Sequence, residues 1–125
     1  MTSRPADPAA EVLTGDCPAR EVLDHITSRW GVLVLVALKD GPLRFHQLRD
    51  GVGGISEKML SQTLRVLRRD GLLDRSVEPT TPPSVSYTLT PLGREGVLPL
   101  CGLIEWIARR ADDVLAAQAH HDATR

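Results

Sequence analysis

Apolar residues recur at helical spacing in two neighbouring segments near the start of the chain. In the first, Val22, Leu23 and Ile26 follow Pro18, which suits the first turn of a helix because its missing N–H is not needed there. The second contains the unbroken apolar run 32–38, which is compatible with a buried strand or with a helix. A helix over 29–40 is favoured because positions 30, 33, 34, 37 and 38 keep helical spacing and Gly41-Pro42 provides a stop.

The next two segments predict a short helix, a turn and a longer helix. The short helix covers 44–52, with Phe45, Leu48 and Val52 on one face, and Gly53-Gly54 ends it. Ser56 is a suitable N-cap for a helix that runs to about Asp70, and Gly71 suits the left-handed position after its last turn. The predicted buried stripe of this helix consists of Leu60, Leu64 and Leu67.

The remaining pattern predicts two strands and a long last helix. Residues 72–78 and 84–90 are strand-like, and the second alternates apolar and polar positions. Between them, Pro79, Pro82 and Pro83 disfavour regular pairing and indicate a stiff loop. Thr90 and Pro91 are a suitable cap and first position for the last helix, which Pro99 is expected to kink or divide.

This order of elements is that of a winged helix-turn-helix domain, mainly α with a small two- or three-stranded β wing. We expect a flexible arm over residues 1–16, one domain with dimerisation helices over 17–119, and a flexible tail over 120–125.

A helix of about 10–12 Å diameter fits the major groove of B-DNA. The predicted recognition helix, about 56–70, carries the side chains that such a helix uses: Gln62 can pair with adenine, and Lys58 and Arg65 can contact guanine or phosphate. The full set of candidate DNA-binding residues is Ser56, Lys58, Ser61, Gln62, Thr63, Arg65, Arg68, Arg69, Arg75, Thr80 and Thr81.

The distribution of charge agrees with a local phosphate-contacting face. The net charge is −1, but residues 56–75 carry five basic and three acidic side chains, whereas both ends of the chain are acidic. A solvated helix face would have the same composition. The scarcity of aromatic residues argues against single-strand or RNA binding on stacked aromatic platforms.

The chain also resembles the HxlR-type (MarR-related) regulators, over about residues 17–107. The resemblance rests on these residues: Cys17-Pro18, Trp30, Arg44-Phe45 with Leu48, Gly54-Ile55-Ser56 with Lys58-Met59-Leu60, Leu64-Arg65, Asp70-Gly71-Leu72, Pro82-Pro83, Val85, Tyr87, Leu89-Thr90 and Gly93. It implies a bacterial, dimeric winged-helix repressor or activator that dimerises through its terminal helices and binds a palindromic operator in double-stranded DNA. Ser84 and Ser86 stand where the family usually has a basic and an acidic residue. This departure weakens the case for a charged wing.

Two further expectations concern self-association and redox sensing. The apolar stripe of the last helix exceeds what a small core needs, and the expected dimer interface consists of Val22, Ile26, Leu100, Ile104 and Ile107.

Some members of the family sense oxidants or electrophiles at the position of Cys17. A helix N-terminus at Pro18 would lower the pKa of that thiol, whereas Cys101 is expected to be buried and inert. Alternatively, Cys17 is a helix-start residue with no signalling role.

Other classes of function are less well supported. The sequence contains no nucleophile motif, phosphate loop or clustered ligands, so we expect neither an enzyme nor a cofactor or metal site. A winged helix that binds protein is an alternative, although such modules often lose the basic face that this chain keeps.

Trp30 and Trp106 are either core or interface residues or the lining of a pocket for a small-molecule effector. We found neither a signal-peptide core nor an apolar run long enough for a membrane, so a cytoplasmic location is expected.

Overall fold

The computed structural model describes residues 8–15 and 18–124, which form six helices and three strands. The helices are α1 (Pro8–Thr14), α2 (Pro18–Thr27), α3 (Arg29–Ala37), α4 (Phe45–Gly51), α5 (Glu57–Arg69) and α6 (Pro91–Ala123). The strands are β1 (Leu43–Arg44), β2 (Leu73–Glu78) and β3 (Ser84–Leu89). The fold is mainly helical with a small three-stranded sheet, as the sequence predicts.

The core forms where α3, α4 and α5 meet. The ambiguous apolar run is helical, and Val34, Leu35 and Leu38 lie at the centre of the core. Leu48 is its counterpart on α4, and the predicted stripe of α5 is buried, with Leu60, Leu64 and Leu67 each no more than 2% exposed. Helical spacing thus places one apolar face of each helix inward.

The two predicted strands form an antiparallel hairpin. It packs on the core at the end away from its loop, which we call the root. β2 and β3 pair from Leu73 with Leu89 to Glu78 with Ser84, and β1 pairs with β3 on its other side. Leu73 and Leu89 are buried, whereas residues 74–83 are exposed. The hairpin of β2 and β3, with its loop 79–83, is the wing.

The last helix begins against the root of the wing. The Thr90 hydroxyl accepts a hydrogen bond from the Gly93 N–H and donates one to the Gly71 carbonyl at 2.6 Å. A Cβ atom at Gly93 would collide with the backbone of Leu72, so this close approach requires glycine. Val97 and Leu100 are buried, which joins the first turns of α6 to the core.

The structure differs from the expected pattern within α6. The helix is continuous through Pro99, which therefore does not divide it, because one proline removes a single backbone hydrogen bond and the turns on both sides remain. It also continues to Ala123, well into the segment expected to be a tail.

The structure also differs at the N-terminal segment. α1 lies within the expected flexible arm. The Arg20 guanidinium donates to the Val12 and Leu13 carbonyls at 3.0 and 3.1 Å, and so joins the end of α1 to α2. The proposed boundary at residue 16 lies outside the described residues and stays a prediction.

Candidate nucleic-acid interface

The candidate site is built on α5, whose start is fixed by Ser56. The Ser56 hydroxyl accepts from the Met59 N–H at 3.1 Å, which is the N-cap arrangement that the sequence indicates. Gly71 has a φ of 77° and provides the left-handed residue after the helix. Because one side of α5 is buried, the positions between its leucines are presented to solvent.

Four exposed residues of α5 share the side opposite the core. Lys58, Gln62, Arg65 and Arg69 are separated by four, three and four positions, which places them along one line of a helix. We refer to these four residues as the reading face. Lys and Arg are donors only, whereas the Gln amide both donates and accepts, so this face can bond base edges and phosphates.

A second set of residues faces the wing. Ser61, Leu64, Arg65, Arg68 and Tyr87 border a cavity of about 330 Å³ between α5 and β3, which we call the wing groove. Arg75 is the β2 residue directly opposite Tyr87, and directly opposed residues of an antiparallel pair share one face of the sheet. Two arginines of α5 thus border this groove, and Arg75 shares the sheet face of Tyr87. Tyr87 was not among the predicted contact residues, because its alternation with Val85 and Leu89 predicts only a buried strand position.

Arg69 of the reading face also approaches α2, and the remaining predicted contact residues lie outside both the reading face and the wing groove. An Arg69 guanidinium nitrogen is 3.9 Å from a Glu21 oxygen on α2, although Arg69 adjoins Arg68 in sequence. Thr63 is half-buried on the side of α5 away from the wing groove. Thr81 is exposed in the wing loop, where the hydroxyl of Thr80 donates to the Pro82 carbonyl at 2.7 Å. Since phosphate oxygens only accept, Thr80 would have to give up this bond to donate to DNA.

An ion pair and a histidine–carboxylate contact join the two ends of α5 to neighbouring helices, and the sequence pattern does not reveal either. The Arg49 guanidinium on α4 donates to Glu57 at 2.7 Å, and its hydrogen bonds to Glu57 and Asp50 raise the pKa of Arg49 above its ordinary value. At the other end, His25 Nδ1 lies 2.6 Å from a carboxylate oxygen of Asp70, whose side chain is only 6% exposed. The second pair joins residues 45 positions apart, so only the fold brings them together.

The expected dimer residues differ in how far they are buried within one protomer. Leu100 belongs to the protomer's own core, and Val22, Ile26 and Ile104 are half-buried. Ile107 is 48% exposed. The last helix also exposes further large apolar side chains, namely Leu92, Leu98, Leu103, Trp106, Val114 and Leu115. We call the exposed apolar residues of α6 from Leu103 onward the α6 apolar face.

Of the two cysteines, Cys101 lies in the part of the chain that the structure describes. Cys17 lies outside the described residues. Cys101 is a free, half-buried thiol packed against the core, so it is less buried than the sequence suggests.

A short helix, a turn, an N-capped helix with a cationic face and a wing define the winged helix-turn-helix class. The model of the HxlR-like helix-turn-helix family matches residues 25–114. The YtfH protein of Escherichia coli K12, an uncharacterized HTH-type transcriptional regulator, is 52% identical over 102 residues, which are 82% of this chain and 81% of YtfH. The chain therefore belongs to the HxlR-like family and is a helix-turn-helix transcriptional regulator, a class of proteins that are not enzymes.

Solved structures agree with this assignment. The ytfH protein of Salmonella typhimurium, described as a transcriptional regulator, superposes with a TM-score of 0.79 at 49% identity, over 92% of this chain and 99% of that one. Diamide-treated YodB of Bacillus subtilis superposes with a TM-score of 0.65 at 32% identity, over 74% of this chain and 93% of that one. In the part of the chain that the structure describes, no helix has the length and apolar character needed to cross a bilayer.

Proposed function

We propose that this regulator binds a specific operator in double-stranded DNA as a homodimer, with α5 in the major groove. The observation that carries the proposal is the reading face, since its cations and its glutamine project from a helix that the core holds firmly. Gln62 and Arg65 would contact base edges, because each can form two hydrogen bonds to one base. Lys58 near the N-terminus would contact a guanine or a phosphate.

The wing groove supplies the complementary phosphate contacts in this proposal. Arg68 borders the groove on α5, and Arg75 lies on β2 opposite Tyr87. Each phosphate that such cations neutralise releases counterions, which makes the affinity depend on salt. Arg75 would supply the charge that Ser84 and Ser86 do not.

The homodimer is inferred from the α6 apolar face. A second copy of the chain would cover these side chains and place its own α5 at the neighbouring half-site. In a two-fold symmetric dimer the two recognition helices would lie about 34 Å apart, or a small multiple of this distance, and the operator would be palindromic. Binding to DNA also implies action in the cytoplasm.

A selection of bound genomic fragments followed by gel shifts over a salt series tests the proposal. We expect a palindromic fragment to be bound, with an affinity that falls steeply as salt rises. If no genomic fragment is shifted at low salt, the chain is a protein-binding winged helix and the DNA proposal is wrong.

We further propose that oxidation of Cys17 changes operator affinity. The proposal draws on a predicted helix N-terminus beside the thiol and on the similarity to YodB, which has been solved after diamide treatment. Diamide should change the affinity of the unmodified protein and of Cys101→Ser, but not that of Cys17→Ser. An equal response in Cys17→Ser, or none in the unmodified protein, would exclude this sensor.

A further inference from the structure

A groove lies between α2, the start of α3 and the side of α5 that faces away from the wing. Its volume is about 320 Å³, near the lower end of the range of roughly 300–1,000 Å³ typical of small-molecule sites. Trp30, Met59 and Val66 provide much of its wall and come from two different helices. We call it the α2–α5 groove. An apolar wall with a few polar groups is the usual form of a small-molecule site.

Trp30 gives the groove a rigid aromatic surface. The Arg29 guanidinium carbon lies 5.0 Å from the centre of the Trp30 ring system, a cation–π distance. The Cη2 atom of the same ring lies close to Gly54, in the turn before α5. A Cβ atom added at Gly54 would be 3.6 Å from it. Trp106 is not among the described residues that border this groove.

The charged groups of the groove favour a cation over an anion. Among its described lining residues, Asp24 is the carboxylate, and neither lysine nor arginine is present. His25 also lines the groove, but its Nδ1 is directed at Asp70 and its Nε2 lies 3.7 Å from Glu21. Two cations lie near the groove without bordering it: Arg69 is 3.9 Å from Glu21 and partly offsets that charge, and Arg29 lies against the Trp30 ring. A ligand carboxylate would therefore meet Asp24 without a cation beside it in the groove.

The groove and the reading face share a residue. Gln62 borders the groove and also belongs to the reading face of α5. A molecule bound in the groove would occupy the Gln62 amide and cover neighbouring Met59, which is 38% exposed. Ligand and DNA would thus compete for one edge of α5.

We propose that the α2–α5 groove binds a small arylalkylamine, an aromatic ring that carries an alkylammonium group, and that its occupation weakens operator binding. The ring packs on Trp30 and Val66, and the ammonium group donates to the Asp24 carboxylate. The regulatory half of this inference rests on the proposed DNA-binding function, whereas the binding half does not. Because coupling between two binding sites is reciprocal, operator DNA must lower the affinity for the amine by the same factor.

A ¹H–¹⁵N NMR titration of the full chain without DNA tests the binding half. The probes are phenethylamine, 2-phenylethanol and phenylacetate, which share one ring and differ in charge. We expect the Trp30 indole and Gln62 amide resonances to shift, with the amine bound most tightly and the acid least. Asp24→Asn should weaken amine binding about threefold to fivefold, as for an exposed ion pair, and leave the alcohol unchanged.

The matched control is Asp74→Asn, which removes an exposed carboxylate from β2, an element that does not border the groove. This variant should bind all three probes like the unmodified protein. Equal affinity for amine and acid, or no shift at Trp30 and Gln62 at 10 mM probe, would overturn the proposal. Shifts at these residues that follow protein concentration and not probe concentration would show that a second copy covers the groove.

A competition experiment with the selected operator then tests the regulatory half. Phenethylamine should release the operator from the unmodified protein at lower concentration than from Asp24→Asn. Amine binding without release would limit the groove to ligand binding and contradict its control of DNA. If no operator exists, the titration still decides whether the groove binds the amine, so the two failures are distinguishable.

Discussion

The helices α5 and α6 both pack on the core along part of their surface, but they expose different kinds of side chain. The exposed side of α5 carries Lys58, Gln62 and Arg65, whereas α6 beyond Leu100 exposes residues such as Leu103 and Ile107. A polar face is stable in water whether or not it has a partner. A row of large apolar side chains is less favourable in water, and it indicates a surface that another molecule covers.

The comparison separates two kinds of inference. The α6 apolar face gives the stronger thermodynamic reason to expect a partner, but it specifies little beyond an apolar counterpart. The reading face gives a weaker reason to expect a partner, but its donors and acceptors specify which partner it fits. Each of the following variants alters one of these surfaces, the core beneath them, or the wing beside the reading face.

The largest effect is expected from the buried side of α5. Leu64 is 2% exposed, so Leu64→Ala should lower the free energy of unfolding by about 2–5 kcal/mol through lost burial and a cavity. Urea denaturation measures this change. Ser61→Ala, on the exposed side of the same helix, is the control and should change stability by no more than about 0.5 kcal/mol. Similar losses in both variants would mean that α5 is not anchored by its leucine stripe.

The next effect tests the α6 apolar face. Ile107→Glu places a charge among apolar side chains and should weaken dimerisation at least about tenfold, because an unpaired buried charge is costly. Light scattering over a concentration series measures this shift toward monomer. Ala116→Glu adds the same charge at an exposed position on the opposite side of α6 and serves as the control, which should leave dimerisation nearly unchanged. A monomeric unmodified protein at micromolar concentration would contradict the proposed dimer itself.

The reading face should give a smaller effect that is confined to DNA affinity. Arg65→Ala should weaken operator binding roughly tenfold, as expected when a bidentate contact worth about 1–3 kcal/mol is lost. Arg109→Ala removes the same charge from an exposed position of α6 and should leave affinity nearly unchanged. If the two variants bind equally, Arg65 contributes only general charge, and the reading face does not read sequence.

The smallest effect is expected at the wing. Arg75→Ala should reduce affinity only a few-fold, but it should also reduce the slope of log affinity against log salt by roughly 0.9, the value for one phosphate contact. The relative affinities for different operator sequences should not change. An unchanged slope would show that the wing makes no ionic contact with DNA.

The sequence predicted the elements of the helix-turn-helix and the wing well because their signals are local. Ser56, Gly71 and Thr90 act through bonds or backbone angles within a few residues, and the leucine spacing of α5 fixes its buried side. The course of α6 after its first turns was predicted less well. Proline at position 99 lowers the local preference for a helix, but the surrounding turns maintain it, and no local signal reveals how far the helix continues.

The sequence by itself thus determined the class of fold, the family and the exposed face of α5, since periodicity, caps and motif residues are properties of neighbouring positions. Only the tertiary structure decided what the remaining sides of α5 contact. It placed Arg68 in the wing groove and Arg69 beside α2, joined His25 to Asp70, and formed the α2–α5 groove around Trp30. These relations depend on how distant elements pack together, and such long-range contacts leave no spacing pattern along the chain.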